Sequence, residues 1–295
     1  MIPLALNSVA AATGAVAPRM EAAGERAWMI GVIFVLIVVV GVLVNLGLAV
    51  VLWKRPQRWP ARERLFLRRA WPVRQAAGVL LWLLAWYAAA IFLKPVWDAL
   101  SGPETLWVLL HSFLFNAVGL WLVGRSLARH GLTWRAAFDW ARRAWPARFG
   151  TGVLYYLAAM PFIWFYSLVY QAGLRAGGYH TEWQDMAVAF AGESSVFIRI
   201  LLFILAVGLA PLFEEVIFRG ILLPLIARRW GTATAVVAVS ALFAVVHFHL
   251  PSVVPLFVIA VAFSLGYLYS GSLLVPVAMH ALFNGVNLVL LALLR

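Results

Sequence analysis

Glu214, Glu215 and Arg219 stand in the run Pro-Leu-Phe-Glu-Glu-Val-Ile-Phe-Arg-Gly, Pro211 to Gly220. The stretch 200–213 precedes them without a charge, and 221–227 follows them without one. A charged side chain at mid-membrane is disfavoured by roughly 3 kcal/mol on insertion scales, so a chain that keeps three of them there has a use for them. Two later apolar stretches carry polar residues of the complementary kind: His247, four residues after Phe243, and His280 with Asn284 in Pro-Val-Ala-Met-His-Ala-Leu-Phe-Asn. Residues four apart share a helix face. Glu215 therefore pairs with Arg219, and His280 lines up with Asn284. Glu214 is turned about 100° from Glu215 and is left to face something else. Removal from water favours the neutral form of a carboxyl group, which suits a general base working near neutral pH.

A glutamate, two histidines and an asparagine, each in an apolar helix, can converge in one bundle. The glutamate and one histidine can activate a water, while the other histidine and the asparagine amide donate to an oxyanion. That set is the equipment for amide hydrolysis. Other polar residues read as packing groups: His111 as an interior hydrogen bonder, His249 as an interface residue beside Pro251, and Asn45, Asn116, Asn287 and Ser240 as helix-packing side chains.

The elements that must position these groups follow from composition. The chain is 65% hydrophobic and only 12% charged, with a mean hydropathy of +0.94, where a soluble domain is nearer a quarter charged. The apolar runs are continuous and about 20 residues long, which excludes a β-barrel. The fold class is all-α: a polytopic membrane helix bundle of about eight spans. These are Trp28–Trp53, Ala76–Leu93, Leu106–Val123, Gly150–Leu174, Ile198–Phe213, Gly231–Phe248, Val253–Tyr269 and Ser272–Leu294. The active site is expected between helices of the C-terminal half. The chain divides into a tail, 1–27, N-terminal spans with basic loops, 28–195, and a catalytic core, 196–295. The stretch 199–229 is too long for one perpendicular crossing, and Gly208 and Pro211 loosen it. A long, tilted or kinked helix with Glu214 near its middle is expected.

The net charge of +12 concentrates in short loops, 54–74 and 125–148, and at Arg228 and Arg229. It sets topology and meets anionic headgroups rather than nucleic acid. Those loops are expected in the cytoplasm and the N-terminus outside. Thr133 to Trp145 reads as an interfacial helix, with Trp134, Phe138, Ala141 and Trp145 on one face and Pro146 ending it. The chain has no cysteine, which excludes disulfides, thiolate metal ligands and a cysteine nucleophile.

Taken in order across successive helices, Glu214-Glu215-x-x-x-Arg219, Phe243-x-x-x-His247 and His280-x-x-x-Asn284 resemble the CPBP family of CAAX-processing, Rce1-type intramembrane proteases and bacteriocin-processing or immunity proteins. Ser272-Leu273, Pro276 and His280 also look like that family's third conserved region. The match covers roughly the last hundred residues, with no departure inside the motifs. The resemblance implies an endopeptidase acting on a membrane-embedded or membrane-anchored substrate, in the cell membrane of a bacterium. It makes Glu214 the water-activating base with His247 assisting, His280 and Asn284 the oxyanion site, and Glu215, Arg219 and Phe243 its supports. A zinc version would use Glu214, His247 and His280 as ligands; a metal-independent glutamate mechanism is preferred, with no cofactor assigned. Rival readings are a proton-coupled transporter and a non-catalytic immunity or scaffold protein.

Overall fold

In the computed structural model the described residues are 16–54, 73–140, 145–179 and 184–293. They form α1 (Val16–Lys54), α2 (Val73–Ala99), α3 (Glu104–Arg129), α4 (Trp134–Phe138), α5 (Trp145–Ala176), α6 (Asp185–Gly192), α7 (Val196–Trp230), α8 (Thr232–Val245), α9 (Val253–Ser270) and α10 (Leu274–Leu293). Among the described residues there is no strand. Seven of these helices are long and apolar enough to cross a membrane, and the chain is a multi-pass membrane protein. The remaining expected span is α8, apolar but only 14 residues long, or roughly 21 Å. Helix α1 starts at Val16, inside the stretch read as a tail. The basic positions from Arg55 to Arg69 lie outside the described residues.

Contacts between loops join ends that an alternating topology puts on one side. Arg148 donates to the Ser270 carbonyl, Leu273 N–H to the Phe138 carbonyl at 3.1 Å, and Ser272 Oγ to the Asp139 carbonyl at 3.2 Å. At the other end, Tyr170 Oη donates to the Leu250 carbonyl and Gln171 to that of Pro251.

The expected helix from Thr133 to Trp145 is a correction. Among the described residues of that stretch the helix is Trp134–Phe138, capped by the Thr133 hydroxyl; Asp139 breaks it with φ 54°, and Trp145 already belongs to α5. Tertiary contacts override the amphipathic period. Phe138 is not on a lipid-facing stripe; it is fully buried, lying so close to Gly220 that a Cβ there would come within 2.7 Å of its ring. Asp139 pairs with Arg148 at 3.1 Å. Pro146 sits in the first turn of α5, where its missing N–H would have had no partner. Arg142 and Arg143 lie outside the described residues.

Helix α5 carries much of the bundle, packing on α1, α9 and α10. Its Pro161 leaves the Leu157 carbonyl without an N–H, and that carbonyl faces Gly41 of α1, where any side chain would collide with the Pro161 ring. Asn45 donates across the same contact to the Ala158 carbonyl at 2.8 Å. Gly152 similarly lets α5 close on α10 at Ala278.

Helix α7 is the long helix the sequence implies: 35 residues, roughly 50 Å, against a hydrocarbon layer of about 30 Å. Glu214 lies near its middle. Two segments are π-helical, Leu205–Leu209 and Val216–Leu222. Each ends one residue short of a proline. Ala210 N–H reaches the Leu205 carbonyl and Leu223 N–H that of Phe218, both five residues back, and Pro211 and Pro224 follow. A proline has no N–H and its ring crowds the carbonyl four residues earlier; a wider turn relieves the crowding. The Glu-Glu pair thus stands on a short α-helical piece, Ala210–Glu215, between two widened turns.

Candidate active site

Phe213, one residue before the pair, docks α7 against α2 and α3. Its ring meets Phe115 edge-on at 5.2 Å and Trp82 at 6.0 Å, and Trp82 stacks on Phe115 at 5.1 Å. Gly119 of α3 leaves the room: a Cβ there would lie 2.6 Å from Phe213 Cζ. Phe213 is 2% exposed, so α7 is held rotationally at the residue preceding Glu214.

Glu215 and Arg219 are both fully buried. Arg219 Nη1 donates to Glu215 Oε1 at 2.8 Å, the expected pairing one turn apart. Nη2 donates to the Ala260 carbonyl at 2.9 Å and Nε to Ser264 Oγ at 3.4 Å. The guanidinium also lies over the rings of Phe243 at 4.8 Å, Phe263 at 5.1 Å and Phe218 at 5.9 Å. A charge removed from water thus meets hydrogen bonds in its plane and aromatic faces around it.

The same Glu215 Oε1 receives His280 Nδ1 at 2.9 Å. An ionised carboxylate only accepts, so Nδ1 carries a proton. Nε2 of that ring is then turned to Glu214 Oε2, 3.8 Å away, beyond hydrogen-bond length. Phe263 stacks on the His280 ring at 4.9 Å and Phe243 meets it edge-on at 5.6 Å. Glu214 differs from Glu215 in exposure and in pairing, although Oε2 of both carboxylates is without a hydrogen-bond donor. Its side chain is 26% exposed, and its closed-off Oε2 accepts no hydrogen bond from the protein.

His247 follows α8 in a turn. Its Nδ1 donates to the Phe243 carbonyl at 2.6 Å, which leaves Nε2 as the free acceptor. Its ring lies 4.7 Å from that of Phe243, so one phenylalanine separates the two histidines. Asn284 donates Nδ2 to the Ala206 carbonyl of α7 at 2.8 Å. The described bundle therefore gathers Glu214, Glu215, Arg219, Phe243 and His280 into one contact network, places His247 against its Phe243 side and ties Asn284 to the π turn just upstream.

Residues 196–286 match the family model described as type II CAAX prenyl endopeptidase Rce1-like. This part of the chain is similar to the Rce1-like family. Neither the curated proteins nor the solved structures yield a match.

All seven candidate site residues fall inside the Rce1-like segment. The zinc reading needs three ligands at one point. Among the described residues no three of the His, Asp and Glu side chains are close enough together to hold a metal ion, so Glu214, His247 and His280 do not fit as a zinc set.

Several groups around the Rce1-like site escaped the sequence. Ser264, the Ala260 carbonyl and Phe263 hold Arg219 or His280, and nothing in their spacing marks them. Phe138 and Gly119 act from outside the matched segment. Pro211 was the one visible signal for the Ala206 carbonyl that Asn284 caps. Of the groups read as packing residues, His111 bonds between helices, its Nε2 accepting from Trp86 Nε1 at 2.9 Å, whereas Ser240 Oγ is buried without a protein partner. Asn116 and Asn287 bond carbonyls of their own helices.

Proposed function

We propose that this chain is an intramembrane endopeptidase with Glu214 as its general base, working without a metal. The observation that carries the reading is the contrast between adjacent carboxylates. Oε2 of both accepts no hydrogen bond, but Glu215 is fully buried with its Oε1 taken by Arg219 and His280, whereas Glu214 is 26% exposed and lies beside His280 Nε2 without an ion pair of its own at hydrogen-bond length.

The step balances in charge and atoms. With His280 doubly protonated, Glu214, Glu215, Arg219 and His280 sum to zero, as a buried cluster requires. Glu214 takes a proton from water, and the water oxygen bonds the scissile carbonyl carbon. The lone pair on His247 Nε2 accepts the second water hydrogen and aims the nucleophile. Negative charge then moves from Glu214 to the carbonyl oxygen, where His280 Nε2–H and the second Asn284 Nδ2–H receive it. The intermediate collapses as the C–N bond breaks, and Glu214 returns its proton to the leaving nitrogen. Glu215 and Arg219 fix the His280 ring, and Phe243 packs between both histidines.

The family's description supports a membrane-anchored protein substrate with a lipidated C-terminus. Anionic lipid headgroups are the natural surroundings of the arginine-bearing helix ends such as Arg125, which lies over Trp121 at 5.1 Å. The test is cleavage, in liposomes, of a reporter peptide ending in a farnesylated Cys-aliphatic-aliphatic-X tetrapeptide. Wild type releases the tripeptide. Glu214→Gln, which keeps shape and hydrogen bonding, lowers the rate by roughly 10²–10⁴ with unfolding unchanged. Wild-type turnover by Glu214→Gln overturns the assignment.

A further inference from the structure

We infer that Pro211 is a positioning residue: by lacking an N–H it leaves the Ala206 carbonyl open, and that carbonyl orients the Asn284 amide. The inference rests on the reading of Asn284 as an oxyanion donor. In the π segment Leu205–Leu209 the ladder runs five residues back, and Ala210 N–H is committed to the Leu205 carbonyl. The next bond in that register would run from residue 211 to the Ala206 carbonyl, and residue 211 is proline. Neither the donor four residues on nor the donor five residues on is therefore available to Ala206. The partner comes from another helix: Asn284 Nδ2, at 2.8 Å.

This contact settles which way the amide faces. A primary amide has a donor end and an acceptor end that are nearly the same shape. A carbonyl only accepts, so it holds the NH2 end and turns Oδ1 away. One Nδ2 hydrogen is spent on Ala206, and the second is left on a nitrogen that cannot flip. An oxyanion donor is effective when it is oriented before charge develops. With an N–H at 211, Ala206 would be satisfied within α7 and the amide would lose its tether.

The experiment compares three residues at 211 in the full chain: proline, alanine, and lactic acid, the ester analogue of alanine, introduced in place of Pro211. Alanine and lactic acid share a side chain and differ in the N–H. Each is combined with Asn284→Ala, and both thermal unfolding in micelles and cleavage of the farnesylated reporter are measured. Pro211→Ala is expected to lower kcat by roughly ten- to hundredfold, the size of effect of a slightly misplaced catalytic group, with KM unchanged. The lactic acid variant keeps kcat within a few-fold of wild type. Asn284→Ala is expected to lower the melting temperature with proline or lactic acid at 211, and to add nothing with alanine there.

Wild-type kcat in Pro211→Ala, or an equal loss of stability from Asn284→Ala in all three backgrounds, overturns the inference. So does loss of kcat in the lactic acid variant, which decides the matter even if Pro211→Ala fails to fold. Full activity in Asn284→Ala, with the stability coupling present, sinks the oxyanion reading instead and reduces Pro211 to a structural partner.

Discussion

Removing the negative charge of Glu215 should harm the fold more than removing the positive charge of Arg219, although the two form one ion pair. Glu215→Gln strands a guanidinium with no exposed surface, and arginine cannot shed its proton. Breaking one side of a buried pair costs about 3–5 kcal/mol. The Ala260 carbonyl, Ser264 Oγ and three ring faces remain to Arg219, which puts the loss near the lower end, about 3 kcal/mol. Arg219→Met instead leaves a carboxyl group that still has His280 Nδ1 at 2.9 Å and can take up a proton. The remaining deficit is that of an imperfectly satisfied polar group, about 1–3 kcal/mol. The double variant carries no stranded charge and should be more stable than Glu215→Gln alone, a coupling opposite in sign to simple addition. Reversible unfolding of purified protein in mixed micelles, followed by tryptophan fluorescence, reads all four corners. An Arg219→Met loss equal to or larger than that of Glu215→Gln, or a double variant equal to the sum of the singles, would refute the reasoning.

Exhaustive chelation should leave reporter cleavage intact, and active protein should carry substoichiometric zinc; metal lost in step with activity would show that His247, His280 and Glu214 gather as ligands in the working enzyme. Gly41→Val should separate α1 from α5, because a side chain at 41 meets the Pro161 ring; a disulfide engineered between positions 34 and 164, whose rings stack in the wild type, should then fail to form while cleavage persists. A reporter tag in the stretch 130–132 should lie in the cytoplasm and one at Gly178 outside, so a cytoplasmic Gly178 would mean that the basic loops do not set the orientation.

Much of the site was legible because helical spacing and the aversion of charge to hydrocarbon are local rules. Four-residue spacing alone gives the Glu215–Arg219 pair, and it leaves Glu214 as the odd carboxylate. The length of the stretch 199–229 gives a helix too long to cross upright. What stayed hidden depends on chain geometry that spacing does not encode. In strict α register His280 and Asn284 share a face, yet they bond different parts of α7: His280 reaches Glu215, and Asn284 reaches a carbonyl nine residues earlier in the chain, opened by a π turn and a proline. The segment after Thr133 misled for a related reason. Its aromatic period fits a surface helix, but Phe138 found a glycine-sized recess at Gly220, and the chain turned at Asp139 to reach it. The glycine that makes the recess lies far away in sequence, so no local window contains both halves of the contact.

Because the ion pair lies within one helix, its two charges are made together. During synthesis α7 leaves the ribosome as a unit, and Glu215 and Arg219 can neutralise each other before any later helix exists. His280 follows 65 residues behind Glu215. Each lone charge would raise the insertion free energy of α7 by roughly 2.5–3.5 kcal/mol, a load its apolar residues would have to offset at that moment. An equivalent pair split between α7 and α9 would present two unmatched charges to the insertion machinery in turn. Holding acid and base one turn apart therefore leaves Glu214 as the one mid-helix charge that α7 carries unmatched into the membrane before the bundle around it has been built.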